Sequence, residues 1–171
     1  MRPLALLAAS AALALAQPLG PIAQEAAAGG EPIPPVVAAW AEAWNTADAP
    51  AMAALFAEDG VYEDWAFQAE FRGPEGVALW VDLTAAAIPD ARMEVLDAFQ
   101  AGERIAVRWV FTGTPIRFAD IPSTGASFAV PVVSVIELEG GRIARVQDAY
   151  NLADLFRQVG VDPSLWVPPA P

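Results

Sequence analysis

The stretch "GRIARVQDAYNLADLFRQVG", residues 141–160, changes its repeat partway through. Up to Tyr150 it reads as a strand, with Ala144, Val146, Asp148 and Tyr150 at every second position and so on one face. From Asn151 the apolar residues Leu152, Leu155 and Phe156 fall at helical spacing, and Gly160 ends the pattern. A strand that feeds directly into a short amphipathic helix belongs to a layered α+β domain. Asp148 stands on the less polar face of that strand. Three readings are open for it: a wet strand end, a cap for the helix that starts near Asn151, or the carboxylate of a pocket.

Working back toward the N-terminus, "ARMEVLDAFQ", "ERIAVRWVFTGT" and "ASFAVPVVSVIELEG" read as three further strands, with turns at "AGE", "PSTG" and "EGG". Ile105, Val107, Trp109 and Phe111 share one face of the second. Pro131 in the third implies an edge position or a bulge, because proline cannot donate to a ladder. Arg108 lies opposite the aromatic stripe, either as a strand-surface residue or as a cation turned into a pocket. "GVYEDW" is a shorter strand after a turn at Gly60.

Helices precede and interrupt this set. "PVVAAWAEAWNT" carries Val37, Trp40, Ala41 and Trp44 at helical spacing. "DAPAMAALF" opens with Asp48 as an N-cap and Pro50 in the first turn. A third helix starts near Pro74, with Leu79, Trp80 and Leu83 expected on its buried face. The predicted fold is α+β: about three helices cover a pocket on a strongly curved, mostly antiparallel sheet, and a short C-terminal helix follows.

The 171 residues suit one domain, and the composition narrows its chemistry. The chain contains no His, Cys or Lys. A Ser-His-Asp triad, a Cys-His pair, a typical zinc site, a Schiff-base lysine and a P-loop lysine are therefore excluded. Proton chemistry near neutral pH falls to Asp or Glu, tuned by burial. No cofactor or metal is expected. A net charge of −12 with no basic cluster argues against nucleic acid and against anionic lipid surfaces as partners.

The N-terminus has the anatomy of a secretory signal. Arg2 precedes an apolar run from Leu4 to Ala16, and "ALA" at 14–16 fits the cleavage rule. That run is too short to span a bilayer comfortably. The expected organisation is a signal peptide at 1–16, a Pro/Gly/Ala-rich linker at 17–35, a domain at 36–160 and a tail at 161–171. The mature protein is expected to be secreted or periplasmic.

The two tyrosines each stand two residues from an aspartate, as Tyr62-x-Asp64 and Asp148-x-Tyr150. Each pair shares a strand face, so a phenol could donate to the neighbouring carboxylate or to a substrate oxygen. "EDGVYEDW" is acidic throughout, and a solvated strand end is an equal reading for the first pair. Asp148 and Tyr150 are the candidate catalytic residues. Trp40, Trp44, Tyr62, Asp64, Trp80 and Trp109 are the candidate pocket lining.

From about Val36 to Gly160 the chain resembles the SnoaL-like polyketide cyclases of the nuclear-transport-factor-2-like superfamily. The resemblance runs through Phe56 and Asp59 ahead of Asp64, "FRGPE" at 71–75, Trp109 before "TGT" at 112–114, and "PSTG" at 122–125. It is most specific over residues 141–160, at Asp148, Tyr150, Leu152, Leu155, Gln158 and Gly160. It implies a cone-shaped fold with an apolar pocket, a homodimer, and cofactor-free aldol chemistry with Asp148 as acid/base. Pro115 stands where many relatives carry His, and Asn151 where many carry Asp. The limonene epoxide hydrolases share this fold and use an Asp-Arg-Asp set, which Asp148 and Arg108 match in part, with Val110 in the third place. Two functions follow as expectations. One is a cofactor-independent cyclase, isomerase or lyase acting on a small apolar carbonyl compound, with Asp148 as base and Tyr150 as an orienting donor. The other is a non-catalytic, dimeric ligand-binding or interaction module.

Overall fold

Pro35 opens helix α1 (Pro35–Asn45), where its missing N–H leaves no bond unmade. Val37, Trp40 and Ala41 point inward from it. Asp48 caps α2 (Ala49–Leu55) by accepting from the Ala51 N–H at 2.8 Å. The computed structural model describes residues 32–118 and 121–166. The expected signal peptide and most of the expected linker lie outside the described residues. The order continues with β1 (Phe56–Asp64), β2 (Ala69–Arg72), α3 (Gly73–Ala87), β3 (Arg92–Ala101) and β4 (Arg104–Gly113). A small ribbon of β5 (Arg117–Phe118) and β6 (Ile121–Pro122) precedes β7 (Phe128–Glu139), β8 (Arg142–Tyr150) and α4 (Leu152–Gln158). No described helix is long and apolar enough to cross a membrane.

The main sheet is curved, mixed and six-stranded, in the order β2-β1-β8-β7-β4-β3. Hairpins join β3 to β4 and β7 to β8; the second turns at Gly140 and Gly141, both with positive φ, as tight two-residue turns require. β1 pairs with β8 in parallel, the one departure from the antiparallel pattern in this sheet. That pairing joins the two Asp–Tyr segments. The α+β architecture and the four strands read between residues 91 and 150 match the expectation, with α1, α2 and α3 packed against the core.

Two details differ from the sequence reading. On α3 the buried residues are Val77, Val81 and Thr84, whereas Leu79 and Leu83 are 51% and 45% exposed. The inward stripe follows i, i+4, i+7, and Trp80 is only partly buried, stacked on Phe71 with ring centroids 4.8 Å apart. Pro131 lies in β7, an interior strand, opposite Val110 of β4. It sits one residue beyond the last β7–β8 pair, Val132–Tyr150, so the strand there has a partner on one side only.

The chain does not leave the domain at residue 160. Val161 is buried, a 3₁₀ turn covers Pro163–Leu165, and Trp166 packs edge-on against Phe67. The last residues of the expected tail, 167–171, lie outside the described residues.

Candidate functional site

The parallel register of β1 and β8 places Tyr62 beside Val146 and Asp64 beside Asp148. Each tyrosine then reaches diagonally to the other strand's carboxylate. Tyr62 Oη donates to Asp148 Oδ2 at 2.7 Å, and Tyr150 Oη donates to Asp64 Oδ2 at 2.9 Å. The expectation that a phenol would serve the aspartate on its own strand is corrected. Residues i and i+2 of one strand stand side by side pointing outward, while the neighbouring strand brings a side chain within diagonal reach.

Asp148 is 4% exposed and does not cap α4. Asn151 takes that place, accepting from the Asp154 N–H at 3.0 Å. The second oxygen of Asp148 is also held: Ser134 Oγ donates to Oδ1 at 2.5 Å, from the position directly opposite on β7. Trp109 Nε1 lies 2.8 Å from Ser134 Oγ. An indole N–H can only donate, so Ser134 accepts from Trp109 and its own hydrogen is turned onto Asp148. The relay Trp109–Ser134–Asp148–Tyr62 crosses four strands, β4, β7, β8 and β1.

Burial sets the proton affinities in this cluster. Desolvation pushes Asp148 up to about 7, against the opposing hydrogen bonds from Ser134 and Tyr62; the nearby Asp64 carboxylate adds to the rise. Desolvation also raises Asp64, which the Phe67 backbone N–H and the Tyr150 hydroxyl partly offset. Both phenols are held well above their usual value, by burial first and then by the adjacent carboxylates. The phenols therefore stay protonated at neutral pH. A carboxyl with midpoint near 7 can take up or release a proton there, which is what a general acid/base needs.

Asp148 opens onto a cavity of about 880 Å³. Trp44, Tyr62, Trp80, Trp109 and Tyr150 line it, as do Phe67, Phe156 and Trp166 from the elements that follow β1 and β8. Trp40 and Asp64 do not. Trp40 is fully buried behind the wall, edge-on to Trp109 at 5.8 Å between ring centroids. Asp64 stands behind Tyr150, spent on that hydroxyl and on the Phe67 N–H. Arg108 turns away from the cavity to an exposed pair with Asp97, its Nε 2.8 Å from Oδ1. That position also removes the partial epoxide-hydrolase match. Among the described residues no three His, Cys, Asp or Glu side chains gather as metal ligands.

Ser134 is the site residue that the sequence reading missed. Its signal was present: Phe128, Val130, Val132, Ser134 and Ile136 share the buried face of β7, and Ser134 is the polar exception. A hydroxyl on an otherwise apolar strand face needs a buried partner.

Comparison with known proteins follows this geometry. A family profile described as the SnoaL-like domain matches residues 37–146. A solved protein from Catenulispora acidiphila with a ketosteroid isomerase-like fold, in complex with trimethylamine, is 32% identical. That alignment covers 80% of this chain and 100% of that one, with a TM-score of 0.71. IdmH from Streptomyces antibioticus, a candidate polyketide cyclase, is 27% identical over 74% of this chain and 96% of its own, with a TM-score of 0.64. A candidate polyketide cyclase from Pseudomonas putida is 26% identical over 72% and 95%, with a TM-score of 0.63. No curated protein matches the chain at a significant level.

Proposed function

The chain belongs to the SnoaL-like domain family, and from that premise we propose that it binds a small apolar carbonyl compound and moves a proton on it without a cofactor, in a cyclisation, isomerisation or lyase step. The observation that carries this reading is Asp148, a buried carboxyl with a midpoint near 7 at the wall of an aromatic cavity. In the ionised form it would take a proton from carbon next to a carbonyl. Ser134 and Tyr62 stabilise that ionised form, and the same carboxyl would return the proton to a new position. Tyr62 is the phenol in contact with Asp148, so it takes the supporting role that Tyr150 was expected to hold, and Tyr150 supports Asp64 instead.

The test is solvent deuterium exchange at the α-carbon of a panel of aryl and alkyl ketones, followed by proton NMR. The protein should accelerate exchange for at least one ketone, with a pH profile rising through about 7, and Asp148→Asn should abolish the acceleration. Exchange no faster than in buffer across the panel would count against catalysis. The trimethylamine complex of the Catenulispora protein favours a second reading, binding without turnover. In that case a ligand would bind with equal affinity before and after long incubation and emerge unchanged.

We also place the mature protein outside the cytoplasm as a homodimer, on the strength of Arg2, the Leu4–Ala16 run and the family resemblance. Intact mass and light scattering of the exported protein test both points. Retention of Met1, or a monomer at micromolar concentration, would contradict them.

A further inference from the structure

The chain carries nine arginines, no lysine and a net charge of −12. Five of the eight arginines among the described residues pair with carboxylates: Arg72 with Glu70, Arg104 with Glu137, Arg108 with Asp97, Arg145 with Glu63 and Arg157 with Asp154. Arg142 donates to the Phe56 carbonyl at 3.2 Å. Two remain, Arg92 and Arg117, and among the described residues neither meets a carboxylate or any other hydrogen-bond acceptor. Both line the cavity.

Their placement is not scattered. The Ile116 N–H donates to the Ala87 carbonyl at 2.8 Å, which ties the segment leading into Arg117 to the last turn of α3. Arg92 opens β3 just past the same helix end. Both residues are exposed, and the half-exposed Leu83 lines the same cavity. Among the described lining residues Asp148 is the one carboxyl, and Tyr62 and Ser134 each donate to one of its oxygens. The described wall therefore carries two guanidinium groups against one carboxyl. The Thr84 hydroxyl, buried without a hydrogen-bond partner among the described residues, also lines the cavity and can donate or accept.

We propose that the natural ligand is an amphipathic organic acid, an apolar or aromatic body with a carboxylate that Arg92 and Arg117 receive at the cavity mouth. A protein this acidic repels anions at long range, so the pair acts over short distances and selects by position. Guanidinium groups suit this task because their planar donors match a carboxylate. The aromatic wall takes the body, and the acid end faces outward, away from Asp148. The inference rests on the cavity reading above and narrows its substrate to a carboxylated carbonyl compound.

The experiment compares two probes of the same shape, 2-naphthoic acid and 2-acetylnaphthalene, by isothermal titration calorimetry at pH 6, where the acid is ionised. The folded protein should bind the acid at least about tenfold more tightly than the ketone, a gap that corresponds to about 1.4 kcal/mol. In the Arg92→Gln/Arg117→Gln double variant that preference should fall to about one, and added salt should erode it in the parent protein. Equal affinity for the two probes, or a preference that survives the double substitution, would overturn this inference and leave the cavity reading standing. Failure of both probes to bind would overturn the two together.

Discussion

Tyr62 and Asp148 stand 86 positions apart in sequence, yet the Tyr62 hydroxyl donates to Asp148 Oδ2 at 2.7 Å across two parallel strands. This bond favours the ionised carboxyl and so opposes the burial that raises it. Tyr62→Phe should move the Asp148 midpoint further above about 7. It should also destabilise the fold more at pH 8 than at pH 5, by roughly 1–3 kcal/mol, because a charged acceptor loses its donor only at the higher pH. Urea unfolding at the two pH values measures the difference. Equal losses would mean that Tyr62 contributes packing alone.

Asp148→Asn tests the linkage directly. In the folded state the carboxyl keeps its proton up to about pH 7, whereas in the unfolded chain it ionises near its ordinary value of 3.8. Between those values the folded state binds more protons, so stability falls as pH rises and then levels off above pH 7. The full effect is on the order of 4 kcal/mol. Asn can accept from Ser134 and donate to Tyr62, as the protonated acid would. The variant should therefore come closest to the parent below about pH 3.8, where both states of the parent hold the proton, be more stable than the parent at pH 8, and lose much of the slope between them.

Ser134→Ala removes the donor to Asp148 Oδ1 and leaves the Trp109 indole N–H without its acceptor. The expected loss is about 1–3 kcal/mol, the penalty of a buried polar group left unpaired. Trp109→Phe combined with Ser134→Ala should cost less than the two single changes summed, since the second substitution removes the orphaned N–H. A strictly additive cycle would show that the relay is not coupled.

Much of this arrangement was legible in the residues. The period-2 face through Val146, Asp148 and Tyr150 put the carboxyl on the less polar side of its strand, which the structure shows to be the buried one, and the Leu152, Leu155 and Phe156 spacing placed the closing helix. The crossed tyrosine contacts were not legible, because they depend on the parallel β1–β8 register, and nothing local in either strand fixes that. The α3 face was misread because Leu79 and Leu83 suggested an apolar stripe that the smaller Val77 and Val81 form instead. Trp40 shows a related limit: its spacing marked it as inward, but only the packing against Trp109 decides between cavity wall and core.

One residue of the cavity wall, Ile88, packs where only a glycine leaves it room. A Cβ added to Gly113 would lie 2.3 Å from Cγ2 of Ile88, a β-branched side chain with little freedom to turn aside, and Ile88 lines the cavity. Gly113→Ala should lower stability by about 1–3 kcal/mol through overpacking. Ile88→Ala introduced beside it should recover part of that loss, because the clashing methyl is gone. Thermal unfolding of the two singles and the double decides the point, and a double variant no better than the sum would place the strain elsewhere.

The central claim is that Asp148 is a buried acid/base poised near neutrality, and its titration tests this most directly. Carbon-13 NMR of the aspartate side-chain carboxyls, with Asp148→Asn used to identify the signal, gives the midpoint of this one group. The account predicts a midpoint near 7, displaced upward in Tyr62→Phe. A midpoint near 3.8, unmoved by loss of the Tyr62 hydroxyl, would contradict it.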